Sequence, residues 1–222
     1  MKASHTDSIS AGLGLAWLAV ALGLAFVMAQ GAALPERPAA AAQGGATAPS
    51  LVEIAAPLQQ PVPAAVVQQE QKALAEFIAK RWRIAEEAAS RFVSIAYRAG
   101  NMHSVDPVLI LAVMAIESGY NPVAQSVMGA KGLMQVIPRF HLEKLSGHGG
   151  EEALLDPEVN ILVGAQILRE YHRRLRDEEL ALQMYGGAFD EPTAQYANKV
   201  FAERARLEPI RRKARQQTAQ SV

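Results

Sequence analysis

The sequence contains no cysteine, which excludes a disulfide framework and any zinc site built on thiolates. Histidine is scarce as well. None of the five falls in an H-E-x-x-H or other ligand spacing, so neither a metal nor a cofactor is expected. Excess charge of either sign is also missing: 22 Lys+Arg stand against 22 Asp+Glu, for a formal net charge of +0. A chain that binds nucleic acid through phosphates carries a clear cationic excess, so no nucleic-acid partner is expected. A disordered acidic chain is excluded by the same balance. No window alternates apolar and polar residues with period two over a useful length, so strands are not expected. Charge is missing most unevenly along the chain. Apart from Lys2, Asp7, Glu36, Arg37 and Glu53, every Asp, Glu, Lys and Arg lies beyond residue 65.

That unevenness divides the chain. Residues 9–28 read ISAGLGLAWLAVALGLAFVM, almost wholly apolar or glycine. About 20 such residues in a helix span a hydrocarbon core of ~30 Å, so residues 1–34 are expected to be a membrane anchor. The alternative is an exported chain whose signal is cleaved near Val27-Met28-Ala29, but the apolar run exceeds the usual h-region of ~7–15 residues. Lys2 and the terminal amine precede the span, which places the N-terminus inside and the body outside. Residues 35–65 hold six of the 12 prolines among Ala, Gln and Gly, a composition that reads as an extended tether.

Beyond residue 64 helical spacing dominates. Leu74, Phe77, Ile78, Ile84, Phe92, Ile95 and Ala99 recur at three and four between residues 68 and 102, as one long helix or two, stopped at Gly100-Asn101. Asp106-Pro107 supplies an N-cap and a first-turn proline for a helix over 107–118, with Gly119 as its stop. Further helices are expected over 132–137, about 156–175, about 177–185 and beyond Tyr196. The fold class is therefore mainly α. The expected divisions are a helical extension over 66–83, a domain over 84–207 and a basic tail over 208–222, whose default reading is a frayed, solvated end.

The chemistry concentrates in residues 112–138. Glu117 has Met114, Val113 and Ile110 at i−3, i−4 and i−7, so its carboxylate leaves an apolar stripe at the C-terminal end of a helix. Desolvation and the negative end of the helix dipole both raise the pKa of such a group, as a general acid near neutral pH requires. The bland alternative is a solvated Glu paired with Lys131 or Arg139. A glycine-rich stretch, Gly129-Ala130-Lys131-Gly132, follows without the spacing of a phosphate loop. His103, His141 and His148 read as surface or loop residues, and Met134 as core.

Glu117-Ser118, Asn121-Pro122, Ala124-x-Ser126, Gly129-Ala130 and Gly132-Leu133-Met134-Gln135-x-x-Pro138 together resemble the signature of lytic transglycosylases of the soluble-lytic-transglycosylase (SLT) type, relatives of goose-type lysozyme. Two later stretches extend the resemblance across about residues 84–207: Leu155-Asp156-Pro157-x-x-Asn160-Ile161-x-x-Gly164, and 181–187 (ALQMYGG) followed by Tyr196 and Lys199-Val200. The chain departs from the family where Gly186 replaces an Asn. The resemblance implies a lysozyme-like domain with peptidoglycan glycan strands as substrate. It implies Glu117 as the single acid and base, Ser126 and Gln135 as hydrogen-bonding groups to sugar, Tyr185 as the group that orients Glu117, and Tyr196 as a second cleft tyrosine. The implied reaction cleaves between N-acetylmuramic acid and N-acetylglucosamine with a 1,6-anhydro product. The alternatives are a hydrolytic muramidase on the same bond and a non-catalytic glycan-binding scaffold. With the anchor, the implied location is the inner membrane with the catalytic domain in the periplasm. Service in wall turnover, or to a secretion, conjugation or pilus machine, stays open.

Overall fold

The computed structural model describes residues 62–220. The expected anchor at 1–34 and nearly all of the tether at 35–65 lie outside the described residues. Among those described, no helix is long and apolar enough to cross a membrane.

The helices are α1 (Ala64–Trp82), α2 (Glu86–His103), α3 (Pro107–Glu117), the single turn α4 (Leu142–Leu145), α5 (Pro157–Leu175), α6 (Glu178–Tyr185) and α7 (Gln195–Gln220), with three short 3₁₀ turns on either side of α4. The described residues contain no strand, only two isolated bridges in the loop after α3. The run over 68–102 is two helices: Arg83 adopts a left-handed φ of 55° and ends α1. Gly100 is not the stop expected of it. It lies inside α2, which runs on to His103, and its bare Cα lets the Val105 carbonyl come within 2.7 Å of where a Cβ would be.

α3 is the centre of the fold. Asp106 caps it, accepting from the Val108 N–H at 3.0 Å, with Pro107 at the first helical position. Every residue from Val108 to Ala115 is buried, as expected of a helix apolar all round. α7 packs on α3 and α1, while α5 packs on α2 and α6. The capping aspartates Asp156 and Asp177 open α5 and α6 in the same way, accepting from Glu158 and Val159 and from Leu180.

No helix forms over 132–137. Gly132 and Gln135 take positive φ, 76° and 48°, and the segment closes as a tight turn by exchanging backbone hydrogen bonds between Lys131 and Val136. The basic segment after 207 continues α7 to Gln220 and ties Arg211 and Arg215 to the rest of the fold, so it is not a frayed tail. Arg204 and Arg211 both bond Asp106, and Arg211 also holds Glu208. Arg215 pairs with Glu70 of α1, which is fully buried and also accepts from the Tyr97 hydroxyl at 2.9 Å.

Removing one partner of a buried ion pair leaves an uncompensated charge at a cost of about 3–5 kcal/mol. A chain ending at residue 207 strands Glu70 and is expected to melt at least about 6 °C below the full chain, at roughly 2–4 °C per kcal/mol. Thermal unfolding followed by circular dichroism checks this, and equal melting temperatures would make the segment dispensable to the fold.

Candidate active site

Glu117 ends α3, and among the described residues its only side-chain hydrogen bond comes from the Tyr196 hydroxyl, which donates to Oε1 at 2.6 Å. Burial pushes the carboxyl up to about 7, and the tyrosine hydrogen bond works against that rise. The bland alternative of a pairing with Lys131 is not what the fold makes: Lys131 pairs with Glu151 and Glu152. Tyr185 also faces Glu117, whose charge helps hold its phenol well above the ordinary range. Among the described residues, no other charged group acts on the Glu117 carboxyl.

The two tyrosines divide the work differently from the implied roles. Tyr196 orients Glu117, whereas the Tyr185 hydroxyl donates to the Met134 carbonyl at 2.8 Å and stacks edge-on against Tyr171. Tyr185 therefore ties α6 to the loop after α3. The tilt of Tyr196 depends on Gly186. A Cβ there would lie 2.5 Å from the Tyr196 ring, closer than real side-chain contacts come. The φ of −74° at Gly186 is ordinary, so the glycine is required by space and not by backbone angle. An Asn here, as the resemblance implies, would displace the ring.

The loop over 121–136 carries the remaining candidates. Ser126 accepts from the Ala130 N–H through Oγ at 3.1 Å, and its own N–H donates to the Ala130 carbonyl at 2.9 Å. These bonds close the neck of a small hairpin, with Val127 and Met128 exposed at its tip. Gln135 gives its Nε2 to the carbonyls of Ala124 and Gly132 at 3.1 and 2.9 Å, leaving Oε1 as the atom that can meet a ligand donor. Met134 is buried, as expected, and packs where a side chain at Gly164 would be.

Two residues without an expected role hold this loop in place, and a third holds the connection into α7. Asn160, buried on α5, accepts from the Met134 N–H at 2.7 Å and donates to the carbonyls of Lys131 and Leu154 at 2.8 and 2.9 Å. Gly132 makes room for it, since a Cβ there would fall 2.3 Å from the amide. Ser118 donates to the Leu133 carbonyl at 2.8 Å, linking the end of α3 to the same segment. Buried Gln183 gives Nε2 to the Ala188 carbonyl at 2.8 Å and accepts from the Ala197 N–H at 2.9 Å, which sets the start of α7 and hence Tyr196. The available signal was a polar residue at the centre of an apolar helical run.

With this arrangement in view, comparison with known proteins is decisive: residues 94–203 match the family model described as Transglycosylase SLT domain. These residues are an SLT domain. The chain is 37% identical over 86 residues to a membrane-bound lytic murein transglycosylase C of Mannheimia succiniciproducens, covering 36% of this chain and 24% of that one. It is 42% identical over 86 residues to an endo-type membrane-bound lytic murein transglycosylase A of Klebsiella pneumoniae, covering 36% of this chain and 42% of that one. The chain thus spans less than half the length of these relatives. A solved lytic transglycosylase Slt of Pseudomonas aeruginosa aligns with a TM-score of 0.48 and 21% identity over 51% of this chain and 23% of that one. Within the SLT domain lie Glu117, Ser126, Gln135, Tyr185 and Tyr196, and also the supporting Ser118, Asn160 and Gln183.

Because the Tyr196 hydroxyl holds the Glu117 carboxyl down, displacing the ring is expected to move that pKa above about 7. Gly186→Ala should therefore raise the Glu117 titration midpoint, read by carbon NMR of the carboxyl, and lower the melting temperature. A variant with an unmoved midpoint would mean that Tyr196 reaches Glu117 without needing the bare Cα.

Proposed function

We propose that this chain is a peptidoglycan lytic transglycosylase that uses Glu117 as both acid and base. What carries this reading is a desolvated carboxyl at the end of α3, held by Tyr196, with no second carboxylate among the described residues acting on it. A retaining glycosidase places a nucleophilic carboxylate ~5 Å from its acid, and an inverting one places a base farther away across the bond. Of the domain's four aspartates, three are otherwise engaged, and the fourth, Asp190, is exposed in the loop between α6 and α7. Asp106 is committed to Arg204 and Arg211, and Asp156 and Asp177 cap helices. The attacking oxygen then comes from the substrate itself.

Protonated near neutral pH, Glu117 gives its proton to the glycosidic oxygen between N-acetylmuramic acid and N-acetylglucosamine as the bond to the anomeric carbon breaks. The resulting carboxylate takes the proton of the muramic C6 hydroxyl as that oxygen bonds to the anomeric carbon. The product is a 1,6-anhydro end, formed without water. Intramolecular attack carries the large effective molarity of a tethered nucleophile. Tyr196 keeps the carboxyl aimed through both steps, and Tyr185 walls the site. The Gln135 Oε1 and the Ser126 hydroxyl supply hydrogen bonds to sugar. The relatives' names include the term membrane-bound, which supports reading residues 9–28 as an anchor; with the N-terminus inside, that anchor would put the domain in the periplasm.

Digestion of purified sacculi is expected to release anhydro muropeptides, lighter by one water than hydrolysed ends in mass spectrometry. Hydrated ends alone would identify a muramidase, and no release would remove the enzyme reading. Glu117→Gln keeps the shape and loses the proton, so turnover should fall by about 10²–10⁴-fold. The wild-type kcat/KM should decline as pH rises through about 7, where the acid deprotonates.

The same shift has a stability consequence. The folded carboxyl holds its proton above the ordinary value of 4.5, so the folded state binds more protons than the unfolded chain between about pH 4.5 and 7. Stability contributed by that proton is full below this window and is lost as pH rises through it. Above pH 7, Glu117→Gln should be more stable than wild type by roughly 1–3 kcal/mol, allowing for the cleft's access to solvent, with the gap closing towards pH 4.5. Chemical denaturation at both pH values measures it.

A further inference from the structure

The helix α1 precedes the residues matched by the SLT family model, yet its last two side chains reach both elements that bring Glu117 and Tyr196 together. Trp82 lies under the turn that follows Glu117. A Cβ on Gly119 would meet its ring at 3.2 Å, and its ring packs edge-on against Tyr120 with centroids 5.7 Å apart. Gly119 and Tyr120 both take left-handed φ, 57° and 64°, a conformation that Tyr adopts only when its surroundings hold it. Tyr120 is held from below as well, its hydroxyl donating to the Leu111 carbonyl at 3.0 Å.

Arg81 works on the other arm. Its guanidinium grips Glu203 of α7 in bidentate fashion, Nε to Oε1 at 3.1 Å and Nη2 to Oε2 at 3.2 Å, two turns along the helix from Tyr196. The same guanidinium lies 5.7 Å from the centre of the Trp82 ring. The end of α1 therefore presses on the turn behind the acid and holds the helix that carries the acid's partner. One further observation sets Trp82 apart from an ordinary packing residue. Its indole Nε1 is buried without a hydrogen-bond partner among the described residues, so the position retains a large flat ring despite leaving a donor unmet.

We propose that α1 is part of the catalytic unit and that Trp82 is a positioning residue for Glu117, acting through the Gly119-Tyr120 turn. This rests on the transglycosylase reading for its kinetic consequence, while its geometric consequence stands apart from that reading. A hydrogen bond of 2.6 Å tolerates little displacement, and a shift of about 1 Å at a reacting group lowers rate by about 10²-fold. The groups that face the Glu117 carboxyl are the Tyr196 hydroxyl from α7 and the Tyr185 ring from α6. Neither is touched by a substitution at residue 82.

The test uses the full chain with Trp82→Ala and Trp82→Phe, and Trp82→Leu in place of Ala should Ala not fold. The readouts are kcat and KM on soluble glycan strands, the Glu117 titration midpoint by carbon NMR, and the melting temperature. In Trp82→Ala, kcat should fall about tenfold or more with KM within about twofold, and the midpoint should move away from about 7 as the carboxyl's burial and its bond to Tyr196 are both disturbed. Trp82→Phe keeps an aromatic ring against Tyr120 and deletes the unmet donor, so it should restore kcat and midpoint with little change in melting. A Trp82→Ala or Trp82→Leu protein that melts lower but keeps wild-type kcat and midpoint overturns the proposal. So does failure of Phe to restore them. Absence of any product from wild type would sink the transglycosylase reading alone, leaving the titration to decide the role of Trp82.

Discussion

The architecture depends on holding one carboxyl, Glu117, largely out of water at the end of a buried helix. α3 is apolar on every face from Val108 to Ala115 and delivers Glu117 at its end, where burial outweighs the one hydrogen bond that favours ionisation. A half-buried carboxyl with one hydrogen-bond partner is costly to ionise, so its surroundings must be rigid enough to keep it from turning fully into solvent. α7 meets that requirement by packing along α3 and bringing Tyr196, far away in the sequence, up to the carboxyl.

Rigidity around the cleft comes from buried polar side chains that stand in for secondary structure. The loop between α3 and α4 closes on itself through short turns and two bridges, and several of its backbone groups that those bonds leave over are met by Asn160, Ser118 and Gln135. Asn160 alone satisfies three backbone groups from two separate segments. Gln183 does the same for the connection into α7. Asn160 and Gln183 sit on regular helices, so the irregular part of the site inherits its order from α5 and α6.

Much of this was legible in the sequence. Apolar spacing located α3, α5 and α6 to within a residue or so, helped by the Asp-Pro starts of α3 and α5, because cap chemistry and periodicity act locally. Glu117 stood out for the same reason: its apolar stripe and helix-end position are visible in the seven residues before it. The segment over 132–137 was not legible, since its composition suits a helix while Gly132 and Gln135 are held left-handed by partners distant in sequence. The distinct roles of Tyr185 and Tyr196 were hidden for a similar reason. Which tyrosine reaches Glu117 is decided by the missing Cβ at Gly186, a contact between two residues whose separation is set by the intervening loop. The ion pairs of α7 were missed because a run of arginines looks the same whether solvated or paired with Asp106 and Glu70.

The hairpin over 126–130 is built differently from everything beside it. Its neck is locked by the paired bonds between Ser126 and Ala130, while Val127 is wholly exposed and a Cβ on Gly129 would meet nothing within 4 Å. A larger side chain at Val127 therefore meets open solvent, whereas one at Gly132, a few residues on, would run into Asn160 at 2.3 Å, so tolerance to bulk changes abruptly within a single loop.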